Sequence, residues 1–162
     1  MDYSELVDVY LNLEKTSKRL EMVDLIADLL KKSGKELASI VNLLQGKVFP
    51  HYDEKKIGMS SRLILKVIGK TSGISTSEVE KLWRKKGDLG IVTEEVMKHR
   101  KQATLRQRKL DVARVFGNIQ RLASIEGERA VDRKVGLVAE LLSDAKPVES
   151  RFIVRTVLED LR

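Results

Sequence analysis

Apolar residues recur at intervals of three and four along almost the whole chain, and no stretch alternates apolar and polar residues over the length of a strand. A half-buried strand needs a period of two, so the pattern leaves an all-α fold. Capping residues, glycines and prolines divide it into about nine or more helices. Ser4 is expected to cap a first helix with Leu6, Tyr10 and Leu13 on its apolar face, and Ser17 a second that runs to Lys32 ahead of Gly34. A third spans Lys35 to Leu44 and is stopped by Gly46-Lys47-Val48-Phe49-Pro50, with a polar connector from His51 to Gly58 that has room for one helical turn. Ser60 or Ser61 caps the next helix, Arg62 to Lys70, which presents Arg62 and Lys66 one turn apart. Ser75 and Asp88 open two more. The run Val112, Val115, Phe116, Ile119, Leu122, Ala123 is the cleanest amphipathic helix and belongs to the core, with Gly127 ending it.

The last segment, Pro147 to Arg162, reads as a single helix whose first position suits proline. Phe152, Ile153, Val157 and Leu161 face inward, while Arg151, Arg155 and Arg162 fall within roughly 40° of one another at about 100° per residue. This predicts either a basic stripe or arginines paired with Glu149, Glu159 and Asp160. The segment also has a counterpart. Ile26 to Leu30 lies over Val138 to Leu142, and Glu36, Ile40 and Val41 lie over Glu149, Ile153 and Val154, with a connector one residue longer in the second copy. Two such hairpins near opposite ends predict a two-lobed domain with approximate twofold symmetry.

A chain of 162 residues is enough for one domain with a real core. Its charge is unevenly spread. Residues 1 to 60 carry 9 basic and 10 acidic side chains, residues 61 to 110 carry 13 and 5, and residues 111 to 162 carry 9 and 9. A basic zone on an otherwise balanced protein of net charge +7 fits a polyanionic partner, nucleic acid first. Part of the excess lies between Lys98 and Lys109, which has no acid and reads as a solvated connector. Aromatics are too few, at 4%, for stacking on single-stranded bases to be the main mode. No apolar run approaches a membrane span and the start is unlike a secretory leader, so an intracellular protein is expected.

Catalytic patterns are tried and fail. Gly69-Lys70-Thr71 resembles the tail of a phosphate-binding loop, but Ile64 stands where that loop needs glycine. Lys109-Leu110-Asp111 approaches the Lys-x-Asp-Gly of enzymes that form a lysine adenylate, but Val112 replaces the glycine. There is no cysteine, and His51 and His99 stand apart from carboxylate clusters, so no nucleophilic set or metal site is expected.

The opening YSELVDVYLNLEKTSKRLEMVDLIADLL, the run QGKVFPHYDEKKIGMSSRLILKVI, the turn GDLG, and DRKVGLVAELL followed by SRFIVRTVLEDLR resemble the N-terminal DNA-binding domain of ATP-dependent DNA ligases, most closely the archaeal type. The resemblance runs through the whole chain and implies that residues 1 to 162 are that domain alone, without the nucleotidyltransferase and OB-fold domains that follow it in the family. It implies a domain with no cofactor of its own, in an enzyme that uses ATP and magnesium. It further implies a monomer that grips nicked double-stranded DNA through its backbone and minor groove, a cytoplasmic, nucleoid-associated setting, and a sliding clamp as a candidate partner of the full-length protein.

On this resemblance the DNA-contacting residues are expected at Thr16, Ser17, Lys18 and Arg19, at Gly46 and Lys47, at Arg62 and Lys66, at Arg133 and Lys134, and at Arg155 and Arg162. Gly46 would permit close backbone approach to DNA. Glu159 and Asp160 replace Gly46 and Lys47 in the second copy, which weakens a symmetric grip, and Arg155 is equally suited to a salt bridge within the fold. Two other readings stand beside this one, a helical protein-interaction module for an acidic partner and an RNA-binding helical domain.

Overall fold

The computed structural model describes residues 1 to 100 and 107 to 161. Its helices are α1 (Tyr3–Lys15), α2 (Arg19–Lys32), α3 (Leu37–Leu44), α4 (Ser61–Ser72), α5 (Thr76–Lys86), α6 (Leu89–Lys98), α7 (Val112–Leu122), α8 (Ala130–Asp144) and α9 (Pro147–Val157), with a 3-10 turn at Gly34–Glu36. Among the described residues there is no strand, and an isolated antiparallel bridge joins Asp2 to Asp111. None of these helices is long and apolar enough to cross a membrane.

Four helices start where a short polar side chain accepts a backbone N–H: Ser60 from Leu63, Ser75 from Glu78, Asp88 from Ile91 and Asp111 from Arg114. The two N-terminal starts differ from expectation. Asp2, not Ser4, occupies the cap of α1, where it bridges to Asp111, so the helix begins two residues earlier. Lys18, not Ser17, precedes α2, because the Thr16 hydroxyl takes the Lys18 N–H at 3.2 Å and extends the connector by a residue. The expected third helix begins as the 3-10 turn. Likewise α7 ends at Leu122, and Gly127 lies in the following turn with φ 86°.

Helix α9 packs chiefly along α6, α8 lies on α4 and α7, and α1 bridges α2 to α9. The core between them holds Tyr3, Leu6, Ile40, Leu43, Ile64, Ile68, Ile119, Leu122, Leu141 and Phe152, all nearly or fully buried. Tyr10 stacks on Phe152 at 4.9 Å between ring centroids, joining α1 to α9. Contacts between the first and last helices make the described residues one packed body around a shared core.

The last helix stops at Val157 rather than running to the end. Leu158 is its cap, Glu159 turns into the left-handed region at φ 55°, and the Asp160 N–H returns to the Arg155 carbonyl at 2.8 Å. The same turn ends α3. There Gly46 has φ 70° and the Lys47 N–H returns to the Asn42 carbonyl at 3.0 Å. Both are Schellman turns, in which a left-handed residue lets the next amide satisfy a free helix carbonyl.

Candidate nucleic-acid interface

Residues 47 to 60 form a connector pinned at three depths. Val48 and Ile57 are buried, the Val48 carbonyl accepts from Gln120 Nε2 at 2.8 Å, and the Gly58 carbonyl faces Lys134 Nζ at 3.4 Å. This holds Lys47, whose Nζ lies 3.1 Å from His51 Nδ1, and Lys55, whose Nζ sits over the Phe49 ring at 5.8 Å. Phe49, Tyr52 and Lys55 share a recess with Gly117, Gln120 and Arg121 of α7. Arg121 also lines a second recess with Arg133 of α8. Lys47, Lys55, Arg121, Arg133 and Lys134 therefore follow one another across the connector, α7 and α8. Arg62 and Lys66 lie exposed on α4, which packs against α8.

Several cations elsewhere pair with carboxylates, and within the band Lys55 Nζ lies 3.8 Å from Asp53. Arg114 pairs with Glu140 and Asp144 at 3.2 and 2.7 Å, Lys86 with Glu95 at 2.6 Å, Lys98 with Glu94 at 3.2 Å and Lys109 with Asp2 at 2.5 Å. Among the described residues no carboxylate pairs with Arg62, Lys66, Arg121 or Arg133. An uncompensated cation keeps its full field for an external anion. Arg121 is not among the residues the sequence singles out, because α7 reads as a core helix. Its polar face, Gly117, Gln120, Arg121 and Ser124, repeats at three and four residues and was the available signal.

The turn between α1 and α2 is a separate cationic point. Ser17, Lys18 and Arg19 are exposed, and the Thr16 hydroxyl donates to Glu21 at 2.6 Å while accepting from the Lys18 amide. Lys18 Nζ reaches Glu21 at 3.0 Å, so this charge is partly offset. The Thr16 hydroxyl and then the Lys18 ammonium hold the Glu21 carboxyl below the usual glutamate range.

Two of the residues expected at the interface, Gly46 and Arg155, lie buried within the fold. Gly46 is buried, and the space where its Cβ would sit is 2.7 Å from Leu161 Cβ. Its missing side chain serves the turn and the packing of Leu161, not an approach from outside. Arg155 is only 6% exposed, with Nη1 2.6 Å from Glu14 and Nη2 2.7 Å from Asp88. Arg151 joins it, 2.7 Å from Glu14 and 3.5 Å from Glu94. The arginines of α9 thus form ion pairs inside the fold, with partners on α1 and α6 rather than the neighbours Glu149, Glu159 and Asp160 that spacing suggested. Arg162 lies outside the described residues, as do residues 101 to 106 of the basic run.

Burial alone would lift the Asp88 carboxyl and lower the Arg155 guanidinium, but their mutual hydrogen bond, with Ile91 N–H on Asp88 and Glu14 on Arg155, reverses both shifts. Asp88 ends below the ordinary aspartate range and Arg155 above the arginine value. Among the described residues no three potential metal-ligating side chains converge.

Comparison with known proteins places this geometry in a family. Residues 2 to 162 match the family described as DNA ligase N terminus. The chain is 41% identical over 161 residues to a DNA ligase of Methanothermobacter thermautotrophicus, covering 99% of this chain and 29% of that protein. It is 40% identical over 164 residues to a DNA ligase of Methanopyrus kandleri, covering 100% and 29%, and 36% identical over 163 residues to one of Nitrosopumilus maritimus, covering 100% and 28%. The chain spans less than a third of the length of these relatives.

Proposed function

We propose, from the premise that this chain belongs to the DNA ligase N-terminus family, that it binds nicked duplex DNA without sequence preference and holds the nick for sealing by a longer, ATP-dependent ligase. The observation that carries this is a band of cations in which Arg62, Lys66, Arg121 and Arg133 have no acidic partner among the described residues, with Lys47, Lys134 and the Asp53-paired Lys55 beside them. Phosphate contacts fix position and carry no sequence information, which is what an enzyme acting at any nick requires. The exposed turn Ser17-Lys18-Arg19 adds a second point of contact, so that the duplex is held at more than one place along its backbone. In this reading adenylation, with its ATP and magnesium, belongs to the remainder of the longer protein, and the domain acts as a monomer inside the cell.

The test is binding to nicked duplex across a salt series. With roughly six phosphates neutralised, log affinity should fall against log salt with a slope of about −5. Affinity independent of salt, or equal affinity for an unrelated neutral polymer, would end the proposal. A-form RNA as competitor separates it from the RNA-binding alternative. The protein-interaction alternative has its own mark in Leu20 and Val23, one turn apart on α2 and 79% and 52% exposed. It requires that Leu20→Ser abolish partner binding while leaving DNA affinity intact.

A further inference from the structure

Glu14, the next-to-last residue of α1, ends in a two-armed clamp. Its Oε1 accepts from Arg155 Nη1 at 2.6 Å and its Oε2 from Arg151 Nη2 at 2.7 Å, both arms coming from α9. Each arginine is held in turn. Arg155 reaches Asp88, which caps α6, and Arg151 reaches Glu94 within α6. The Phe152 ring lies beneath both guanidinium groups, 5.2 Å from that of Arg151 and 5.5 Å from that of Arg155. Gly90 leaves the space the second arginine occupies, since a Cβ there would come within 2.8 Å of Arg155 Cγ. The end of α1 is thereby fastened to α6 and α9. The turn Thr16 to Arg19 begins two residues after the fastening point, and Thr16 then orders it through the Lys18 amide and Glu21.

We infer that Arg151 and Arg155 are positioning residues for DNA binding, acting through Glu14 to hold the Thr16–Arg19 turn against the phosphates while neither arginine touches DNA. The inference rests on the reading that this turn belongs to the DNA-binding face. Its physical ground is that flexible side chains lose affinity by the freedom they surrender on binding, and an anchored turn has surrendered part of it beforehand. Arg155 is buried, and each of its Nη nitrogens is engaged by a carboxylate of the fold.

Glu14→Gln gives a test whose sign is diagnostic. Removing a negative charge near a phosphate-binding turn should by Coulomb's law alone tighten DNA binding. The clamp predicts the opposite. Glu14→Gln should weaken binding of the 162-residue chain to nicked duplex and flatten the salt slope by about two, as Lys18→Ala/Arg19→Ala does, with no further flattening when the changes are combined. A general loss of stability would add to the alanine pair rather than vanish in its presence. Should Glu14→Gln fail to fold, Arg151→Lys keeps the charge but loses one fork of the clamp, and the same comparison applies. Unchanged or tighter binding by the folded variant, or additive effects, overturns the inference. If the alanine pair leaves the slope unchanged while the chain still binds nicked duplex, the turn lies off the DNA and the inference falls, but the cation band stands. If the chain does not bind nicked duplex at all, both fall.

Discussion

Gly46 and Glu159 adopt the same left-handed backbone, φ 70° and 55°, at the ends of α3 and α9. They are two positions that the internal sequence repeat places over each other, and the amides of each and of the next residue return to corresponding carbonyls, Leu43 and Asn42 in one turn and Thr156 and Arg155 in the other. One position uses the residue suited to that conformation and the other does not.

That asymmetry predicts opposite effects on stability. Gly46→Ala meets both an unfavourable φ and the Leu161 side chain, and should cost about 2 kcal/mol. Glu159→Gly relieves a strained side-chain-bearing residue and should stabilise by roughly 0.5 kcal/mol. Chemical denaturation of the two variants checks both signs.

Removing Arg155 should be far costlier than removing an exposed cation. Arg155→Ala leaves the Asp88 carboxylate without its counter-charge and Glu14 with Arg151 alone, and a loss of about 3 kcal/mol is expected. Lys70→Ala, at an exposed position on α4, should change the unfolding midpoint by an amount equivalent to less than about 0.5 kcal/mol. Thermal unfolding of both variants makes the comparison.

Asp88 and Glu149 should give stability opposite dependences on pH. The Asp88 carboxyl is held below its ordinary value of 3.8, so its contribution is complete above that value and lost as pH falls through the lower, folded one. Glu149 is buried, and burial raises its carboxyl above the ordinary 4.5 despite the Lys146 N–H at 2.8 Å. Its charge therefore opposes folding, and stability falls as pH rises from 4.5 through the raised value. Asp88→Asn should flatten the acid limb, and Glu149→Gln, which keeps an acceptor for Lys146, should gain relative to wild type as pH rises to about 7. Denaturation midpoints between about pH 3 and pH 7 read both effects.

In the cation band, Arg121→Ala and Arg133→Ala should each reduce the salt slope of nicked-duplex binding by about one and leave stability unchanged within about 0.5 kcal/mol. Binding titrations at several salt concentrations measure the slope, and a slope unmoved by both changes would take the band off the DNA.

Local chemistry made much of the fold legible. The helical period gave the all-α class, Ser60, Ser75 and Asp88 marked helix starts that the structure keeps, and the repeat pointed to two positions that share a turn. These are decided within a few residues by hydrogen bonding and backbone conformation, so a linear reading reaches them. Tertiary structure decided which charges are free. Arg155 and Arg133 look alike in sequence, but only packing brings Glu14 and Asp88, 141 and 67 residues away, against the first and leaves the second unpaired. Gly46 is a similar case, because its buried contact with Leu161 exists only once the two chain segments meet. The strength of an ion pair depends on distance in space and on exclusion of water, and neither is written in the spacing of residues along a chain.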